Sequence, residues 1–204
     1  IGTDGLRLWV ASVDCSGGDI VMSDIILQNI QESFRKIRNT CRFLISNLYD
    51  FDIKKDAVPF NQVRVFDFHA LEQFCELQKQ VIAGYKDFNT ATVFHAIVDY
   101  CTNNLSAFYL DIIKDRLYVE QEDGHARRSA QTICWYILDG LTRLTAPILS
   151  ITAEQLLALY QKDTDHTSIH LQKFSDLSAI KVHEERIDLW KQLDLFRSAL
   201  LKAI

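Results

Sequence analysis

The chain has 204 residues, of which 48% are hydrophobic and 24% are charged. This composition can bury a core and excludes a disordered chain. The formal net charge of -5 excludes a protein that binds nucleic acid mainly by coating phosphates with positive charge, although local basic faces stay compatible with it. Only 7 Gly and 2 Pro are present, which favours long helices over a β fold rich in turns. We therefore predict an all-α protein.

Residues 1–22 differ in pattern from the rest of the chain. A short apolar stretch at 9–13 is followed by a Ser-Gly-Gly-Asp turn at 16–19. We interpret residues 1–22 as a short irregular segment at the boundary of residues 23–204, which form the main domain.

Apolar residues at helical spacing predict two long helices in the first half of the chain. Ser23 is a plausible N-cap for a helix that runs to about Leu48, and Asp67 opens a second one after a loop that contains Pro59. A third helix restarts at Asn89, and its apolar stripe includes Leu105, Phe108 and Ile112. The spacing therefore predicts that these three side chains line the core.

The second half of the chain continues the pattern. A fourth helix is predicted from about Ala126 to Thr145, because Pro147 disfavours a helical residue before it. Thr152 and Gln155 form a possible capping box for a short fifth helix. The stretch 168–171 is predicted to be extended, and a last helix begins near Val182. These elements predict a bundle of roughly antiparallel helices.

The most persuasive functional pattern lies on the first long helix. At about 100° per residue, Arg35, Arg38 and Arg42 fall within one narrow arc beside the apolar stripe, and Asn39 lies just past it. Guanidinium groups crowded in this way either are neutralised by carboxylates elsewhere or await an anion. We regard this arc as a candidate anion site.

A second basic cluster surrounds the predicted loop at residues 120–125. Lys114 and Arg116 precede the loop, and Arg127 and Arg128 open the next helix. Acidic residues lie among them. Arg127 and Arg128 could therefore contact phosphate, or they could form ion pairs with Glu120 or Asp123 that fix the loop. The pattern is equally compatible with both.

Other chemistry is not indicated. The five cysteines form no Cys-x-x-Cys pair, which favours free thiols in a reducing cytosol. The histidines lack the companions of a zinc site, and neither a catalytic nucleophile with its base nor a phosphate-binding glycine loop is recognisable. No signal peptide and no apolar run of membrane-spanning length is found. We predict no catalytic residue, no metal ligand and no membrane partner.

Several blocks of the sequence resemble the bacterial-type isoleucyl-tRNA synthetases, which are class I enzymes. The resembling blocks are Gly2-Thr3-Asp4-Gly5-Leu6-Arg7-Leu8-Trp9, Arg38-Asn39-Thr40-Cys41-Arg42-Phe43-Leu44, Ser106-Ala107-Phe108-Tyr109-Leu110-Asp111, Lys114-Asp115-Arg116-Leu117-Tyr118, Arg127-Arg128-Ser129-Ala130-Gln131-Thr132 and Ala146-Pro147-Ile148-Leu149-Ser150. They occur in the family's order and span nearly the whole chain.

The resemblance implies a helical domain that binds the anticodon arm of tRNA. Residues 1–22 would be the tail of the linker after the catalytic core. In the family, a helix with Asn-x-x-Arg-Phe at this place faces the anticodon stem-loop, and Asn39, Arg42 and Phe43 match it. The implied tRNA-binding residues are Arg35, Arg38, Asn39, Arg42, Lys114, Arg116, Arg127 and Arg128. For Tyr109 we favour packing in the bundle with a satisfied hydroxyl, and for Arg116 we favour RNA contact.

The resemblance also implies an enzyme of which this chain would be a non-catalytic part. The family's HIGH and KMSKS signatures and its editing domain are missing from these residues. A full-length isoleucine-tRNA ligase would use ATP and Mg²⁺, together with Zn²⁺, in the cytoplasm, whereas this chain would hold no cofactor. We expect a monomer whose partner is tRNA(Ile). The alternatives are a helical scaffold for a partner protein and a domain that binds tRNA too weakly to matter.

Overall fold

The structure, a computed structural model, describes residues 2–13, 20, 22–161, 167–177 and 180. It also describes seven positions near the C-terminus, at 190, 192–193, 195–196 and 199–200. These residues form helices and connecting turns, and no strand occurs among them. The prediction of an all-α bundle is confirmed.

Seven α-helices, one π-helix and one short 3-10 turn make up the described part of the chain. They are α1 (Gly2–Ser12), α2 (Asp24–Ser46), α3 (Val65–Lys86), α4 (Thr90–Asp99), the π-helix (Tyr100–Tyr109), α5 (Leu110–Val119), α6 (His125–Thr145), α7 (Ser150–Tyr160) and the 3-10 turn (Ile169–Leu171). Among these elements, no helix is both long enough and apolar enough to cross a membrane.

Helix α2 forms as its sequence predicts. The Ser23 hydroxyl accepts a hydrogen bond from the Ile26 amide at 3.3 Å and so caps the first turn. Ile37, Cys41 and Leu44 recur at helical spacing and are buried, while the opposite side of the helix is polar. The helix therefore buries one face in the bundle and presents the other to solvent.

Helix α6 is the central element of the core. Ile133, Ile137 and Leu141 are fully buried, and α6 packs on α3 where Phe74 lies against Gly140. A Cβ atom at Gly140 would lie only 2.4 Å from the Phe74 ring. The close approach of these two helices therefore requires glycine at this position.

The helix predicted from Asn89 onwards is one continuous rod, but its register differs from the prediction. Asn89 caps α4 through its side chain, and the rod passes through the ten-residue π-helix before it continues as α5. A π-helix has more residues per turn than an α-helix, so the buried face moves on by one position. Tyr109 and Ile113 are buried, whereas Ile112 is 50% exposed. The prediction that Ile112 lines the core is wrong.

The N-terminal segment is helical where an irregular segment was predicted. Helix α1 buries Leu8 and Ala11, and the buried carboxylate of Asp4 accepts hydrogen bonds from the amides of Ile151 and Thr152. These contacts with a distant helix explain why the local pattern was uninformative.

Asp4 also replaces the predicted cap of α7. Thr152 lies inside that helix, so the predicted capping box with Gln155 is wrong. The stretch 168–171 is likewise not extended but forms the 3-10 turn. The predicted turn at 16–19 and the predicted helix start near Val182 lie outside the described residues.

Candidate nucleic-acid interface

The exposed face of α2 carries the arginine arc that the sequence predicts. Arg35, Arg38, Asn39 and Arg42 are all exposed. Arg35 makes a two-pronged contact with Glu32, in which Nε donates to Oε2 at 3.0 Å and Nη2 donates to Oε1 at 2.9 Å. This hydrogen bonding lowers the pKa of Glu32. Much of the charge of Arg35 is therefore balanced within its own helix.

Arg38 and Arg42 differ from Arg35 in this respect. Neither guanidinium group has a carboxylate partner among the residues that the structure describes. They project four residues apart, about one helical turn, so their charges reinforce each other on one strip of surface. This strip is the part of α2 that is best suited to a multiply charged anion.

A groove runs between α2 and the rod formed by the π-helix and α5. It has a volume of about 330 Å³, and its lining includes Lys36, Asn39 and Phe43 on one side and Ser106 and Lys114 on the other. The groove thus offers ammonium groups, an amide, a hydroxyl and an aromatic ring. These are the groups that bind phosphates and read the edges and faces of unpaired bases.

The walls of the groove are joined at Thr40. Its buried hydroxyl lies 3.0 Å from the hydroxyl of Ser106 and donates to the Lys36 carbonyl at 2.9 Å. The π-helix brings Ser106 to this position. Asn39 lies between the groove and the arginine arc on the helix surface, so the arc and the groove form one continuous face.

Lys114 belongs to this face, although its charge is partly balanced. Its ammonium group donates to Asp111 at 2.7 Å, and both side chains are well exposed. The hydrogen bond raises the pKa of Lys114 and lowers the pKa of Asp111. An exposed pair of this kind exchanges partners at little cost, so Lys114 stays available to an anionic ligand.

Arg116 is placed differently from the expectation that the resemblance gave. Its guanidinium Nη1 donates to Asp67 at 3.0 Å, and the Asp67 carboxylate has no exposed surface. The hydroxyl of Tyr109 donates to the same carboxylate at 3.1 Å, and that of Ser129 at 2.7 Å. Desolvation, with a smaller contribution from Asp67, raises the pKa of Tyr109 well above its usual value. Tyr109 is packed with its hydroxyl satisfied, as we favoured.

Arg127 and Arg128 are also directed into the protein. Arg127 is 5% exposed, and its Nη1 lies 2.8 Å from a carboxylate oxygen of Asp50. Arg128 donates to the Asp50 carbonyl and to Gln131, and it lies 3.8 Å from Asp56. The ion pairs that pin this loop are therefore made with the turn after α2, rather than with Glu120 or Asp123.

The structure thus divides the eight residues into two groups. Arg35, Arg38, Asn39, Arg42 and Lys114 lie on one exposed face. In contrast, Arg116 joins α5 to α3, and Arg127 and Arg128 join α6 to the turn after α2. Lys36 and the groove residue Ser106 were not predicted. The position of Lys36 beside Asn39 on the helical wheel could have indicated it, but the place of Ser106 depends on the π-helix.

An all-α domain with an exposed basic strip beside a polar groove has the features of a helical RNA-binding module. The model of the family described as the anticodon-binding domain of tRNA ligase matches residues 67–200. The chain belongs to this family. Membership disfavours the alternative of a protein-binding scaffold.

Full-length relatives extend the comparison to the whole chain. The chain is 43% identical over 209 residues to an isoleucine–tRNA ligase of Carboxydothermus hydrogenoformans. This alignment covers 100% of the chain. The chain is 43% identical to the isoleucine–tRNA ligase of a Janthinobacterium species over 98% of the chain, and 40% identical to that of Coxiella burnetii over 100%. The chain spans 22% of the length of each of these three relatives.

Proposed function

We propose that this domain binds the anticodon arm of tRNA(Ile) and positions the tRNA for aminoacylation by the other parts of an isoleucine–tRNA ligase. Arg38 and Arg42 carry the proposal, because they form an exposed cationic strip that has no carboxylate partner within the described part of the chain. The match to the anticodon-binding family and the names of the relatives support it.

The binding mode follows from the two parts of the face. Arg38 and Arg42 would contact backbone phosphates, and Arg35 and Lys114 would add to the attraction once their carboxylate partners are displaced. Asn39 and Phe43 border the groove, where an amide can read a base edge and a ring can contact a base face. Phosphate contacts would hold and orient the RNA, while contacts in the groove would discriminate between bases.

Arg116, Arg127 and Arg128 would act indirectly in this scheme. The ion pair of Arg116 with Asp67 fixes α5 to α3, and the ion pairs of Arg127 and Arg128 with Asp50 fix α6 to the turn after α2. The groove lies between α2 and the rod that contains α5, so its width depends on these pairs. We therefore assign the three arginines a positioning role.

The catalytic chemistry would lie outside these residues. ATP and Mg²⁺ would be used by the ligase as a whole in a cytoplasmic reaction, with the domain acting as a monomer. The described residues contain no group of three His, Cys, Asp or Glu side chains that could hold a metal ion, so they do not fit a zinc site. No step of the binding mode therefore passes through a metal.

The test measures binding of the chain to an isoleucine tRNA anticodon stem-loop and to one with an altered anticodon, at two salt concentrations. We expect Arg38→Gln and Arg42→Gln to weaken binding and to lower the salt dependence by about one released counterion each. Lys86→Gln removes one exposed positive charge from the end of α3 and serves as the matched control. We expect Asn39→Ala to reduce the preference for the cognate loop.

Two results would refute the proposal. Absence of binding to either stem-loop would show that this face does not recognise the anticodon arm. Equal losses from Arg42→Gln and Lys86→Gln would show that binding follows net charge alone and does not depend on the α2 face.

A further inference from the structure

Two tyrosines at one end of the bundle are largely exposed. Tyr49 follows α2 and is 65% exposed, and Tyr118, in the last turn of α5, is 62% exposed. Single exposed rings are common on protein surfaces. This pair differs because one buried side chain contacts the ring of Tyr49 and the backbone beside Tyr118.

Arg127 is that side chain. Its guanidinium carbon lies 5.9 Å from the centre of the Tyr49 ring, in the geometry of a cation–π contact. Its Nε donates at 3.2 Å to the carbonyl of Leu117, the residue before Tyr118. The same guanidinium is paired with Asp50, the residue after Tyr49. Arg127, near the start of α6, therefore connects the turn that carries Tyr49 to the last turn of α5, which carries Tyr118.

The rings adjoin the basic face that is proposed to bind RNA. Lys114, which lines the groove, lies one turn before Tyr118 on α5, and Arg42 lies on α2 before the turn that carries Tyr49. An RNA strand that is bound by this face and continues toward the C-terminal ends of α2 and α5 would therefore reach the tyrosines.

The charges around the two rings indicate which part of the RNA strand the rings would contact. The loop after Tyr118 carries Glu120, Glu122 and Asp123, all of them exposed. These carboxylates repel phosphate groups, whereas they do not oppose the neutral face of a base. An exposed aromatic ring stacks on any unpaired base, because every base has a π-face.

We propose that Tyr49 and Tyr118 form a stacking platform for unpaired bases of an RNA loop, with Arg127 as its buried support. The platform deepens the proposed function and rests on it. It predicts a dependence on aromatic character and on unpaired bases, neither of which follows from phosphate contact by arginines.

The experiment compares the binding of a stem-loop RNA with that of a blunt RNA duplex of equal charge. Tyr49→Leu and Tyr118→Leu keep an apolar side chain but remove the ring, whereas Tyr49→Phe and Tyr118→Phe keep the ring and remove the hydroxyl. Phe88→Leu is the matched control, because Phe88 is 91% exposed and lies in the turn that follows α3. Circular dichroism confirms that each variant keeps its helices.

We expect each leucine variant to weaken binding of the stem-loop by roughly 5- to 150-fold. The slope of affinity against salt should stay unchanged, because no charge is lost. The phenylalanine variants and Phe88→Leu should bind the stem-loop as the wild type does, and binding of the duplex should not respond to any of the changes.

Failure of the platform is distinguishable from failure of the proposed function. If the wild type binds the stem-loop and both leucine variants bind it equally well, the platform is refuted while the α2 face stands. If the leucine variants weaken duplex and stem-loop binding alike, the rings do not contact unpaired bases, and the platform is refuted again. If the wild type does not bind the stem-loop, both proposals fall.

Discussion

The guanidinium group of Arg116 and the carboxylate of Asp67 join α5 to α3 across 3.0 Å, and Asp67 has no surface exposed to solvent. Burying this carboxylate costs free energy that the ion pair and the hydroxyl donors Tyr109 and Ser129 offset. The cluster lies beneath the rod that forms one wall of the groove. It therefore links the stability of the bundle to the shape of the proposed binding face.

Arg116→Met should destabilise the protein, because it leaves a buried carboxylate without its ion-pair partner. We expect a loss of about 3–5 kcal/mol in the free energy of unfolding, measured by urea denaturation. Lys114→Met is the control on the same helix, and its exposed pair should leave the free energy of unfolding close to the wild-type value. A stable Arg116→Met variant that no longer binds RNA would instead identify Arg116 as a direct contact.

Gly140→Ala should also destabilise the protein, through packing rather than charge. The added methyl group would lie 2.4 Å from the Phe74 ring, which is fully buried, so that either the ring or a helix must shift. We expect a loss of about 1–3 kcal/mol in urea denaturation.

A second substitution tests the cause of this loss. Phe74→Leu shortens the side chain that the new methyl group meets. The double variant Gly140→Ala/Phe74→Leu should therefore lose less stability than the sum of the two single variants. Strict additivity would show that the contact between Gly140 and Phe74 is not the source of the loss.

The sequence was most informative where local signals and burial agree. Ser23 caps α2 as predicted, a helix begins after Asn89 as predicted, and the apolar stripe of α2 is buried. These features depend on residues within a few positions of one another. The exposure of the arginine arc agrees with the same stripe, since the residues of an amphipathic helix that lie off its apolar face are typically exposed to solvent.

Features that depend on distant residues were not predictable. The π-helix moves the buried face from Phe108 and Ile112 to Tyr109 and Ile113, and no local spacing indicates this shift. The partner of Arg127 could not be found from the sequence either, because Asp50 is far from it along the chain. The sequence indicated that basic residues cluster, but not which of them are neutralised.

Asp4→Ala should weaken the connection between α1 and α7. The Asp4 carboxylate accepts hydrogen bonds from the amides of Ile151 at 3.3 Å and Thr152 at 2.7 Å and so caps α7 from another helix. Loss of this cap should cost about 1–2 kcal/mol. Asp4→Asn keeps an acceptor but loses the charge that favours a helix N-terminus, so it should cost less. Equal stability of the alanine variant and the wild type in urea denaturation would contradict this role.

The buried thiols should make the stability of the protein depend on pH in the alkaline range. Burial raises the pKa of Cys41 from 9.0 to about 12 and that of Cys75 from 9.0 to about 11. The unfolded chain therefore releases these protons from about pH 9, whereas the folded chain keeps them. Since the folded state binds more protons only above about pH 9, the contribution of these thiols to the free energy of unfolding is constant below it. It falls as pH rises toward 11 and 12.

The slope of this fall should approach about 1.4 kcal/mol per pH unit for each thiol that ionises only in the unfolded state. Urea denaturation at a series of pH values measures it. Cys41→Ala removes one such group, and its curve should fall less steeply between pH 9 and 12 than the wild-type curve, whatever its stability at neutral pH. Parallel curves for the two proteins would show that Cys41 ionises equally in both states, contrary to its burial at 1% exposure.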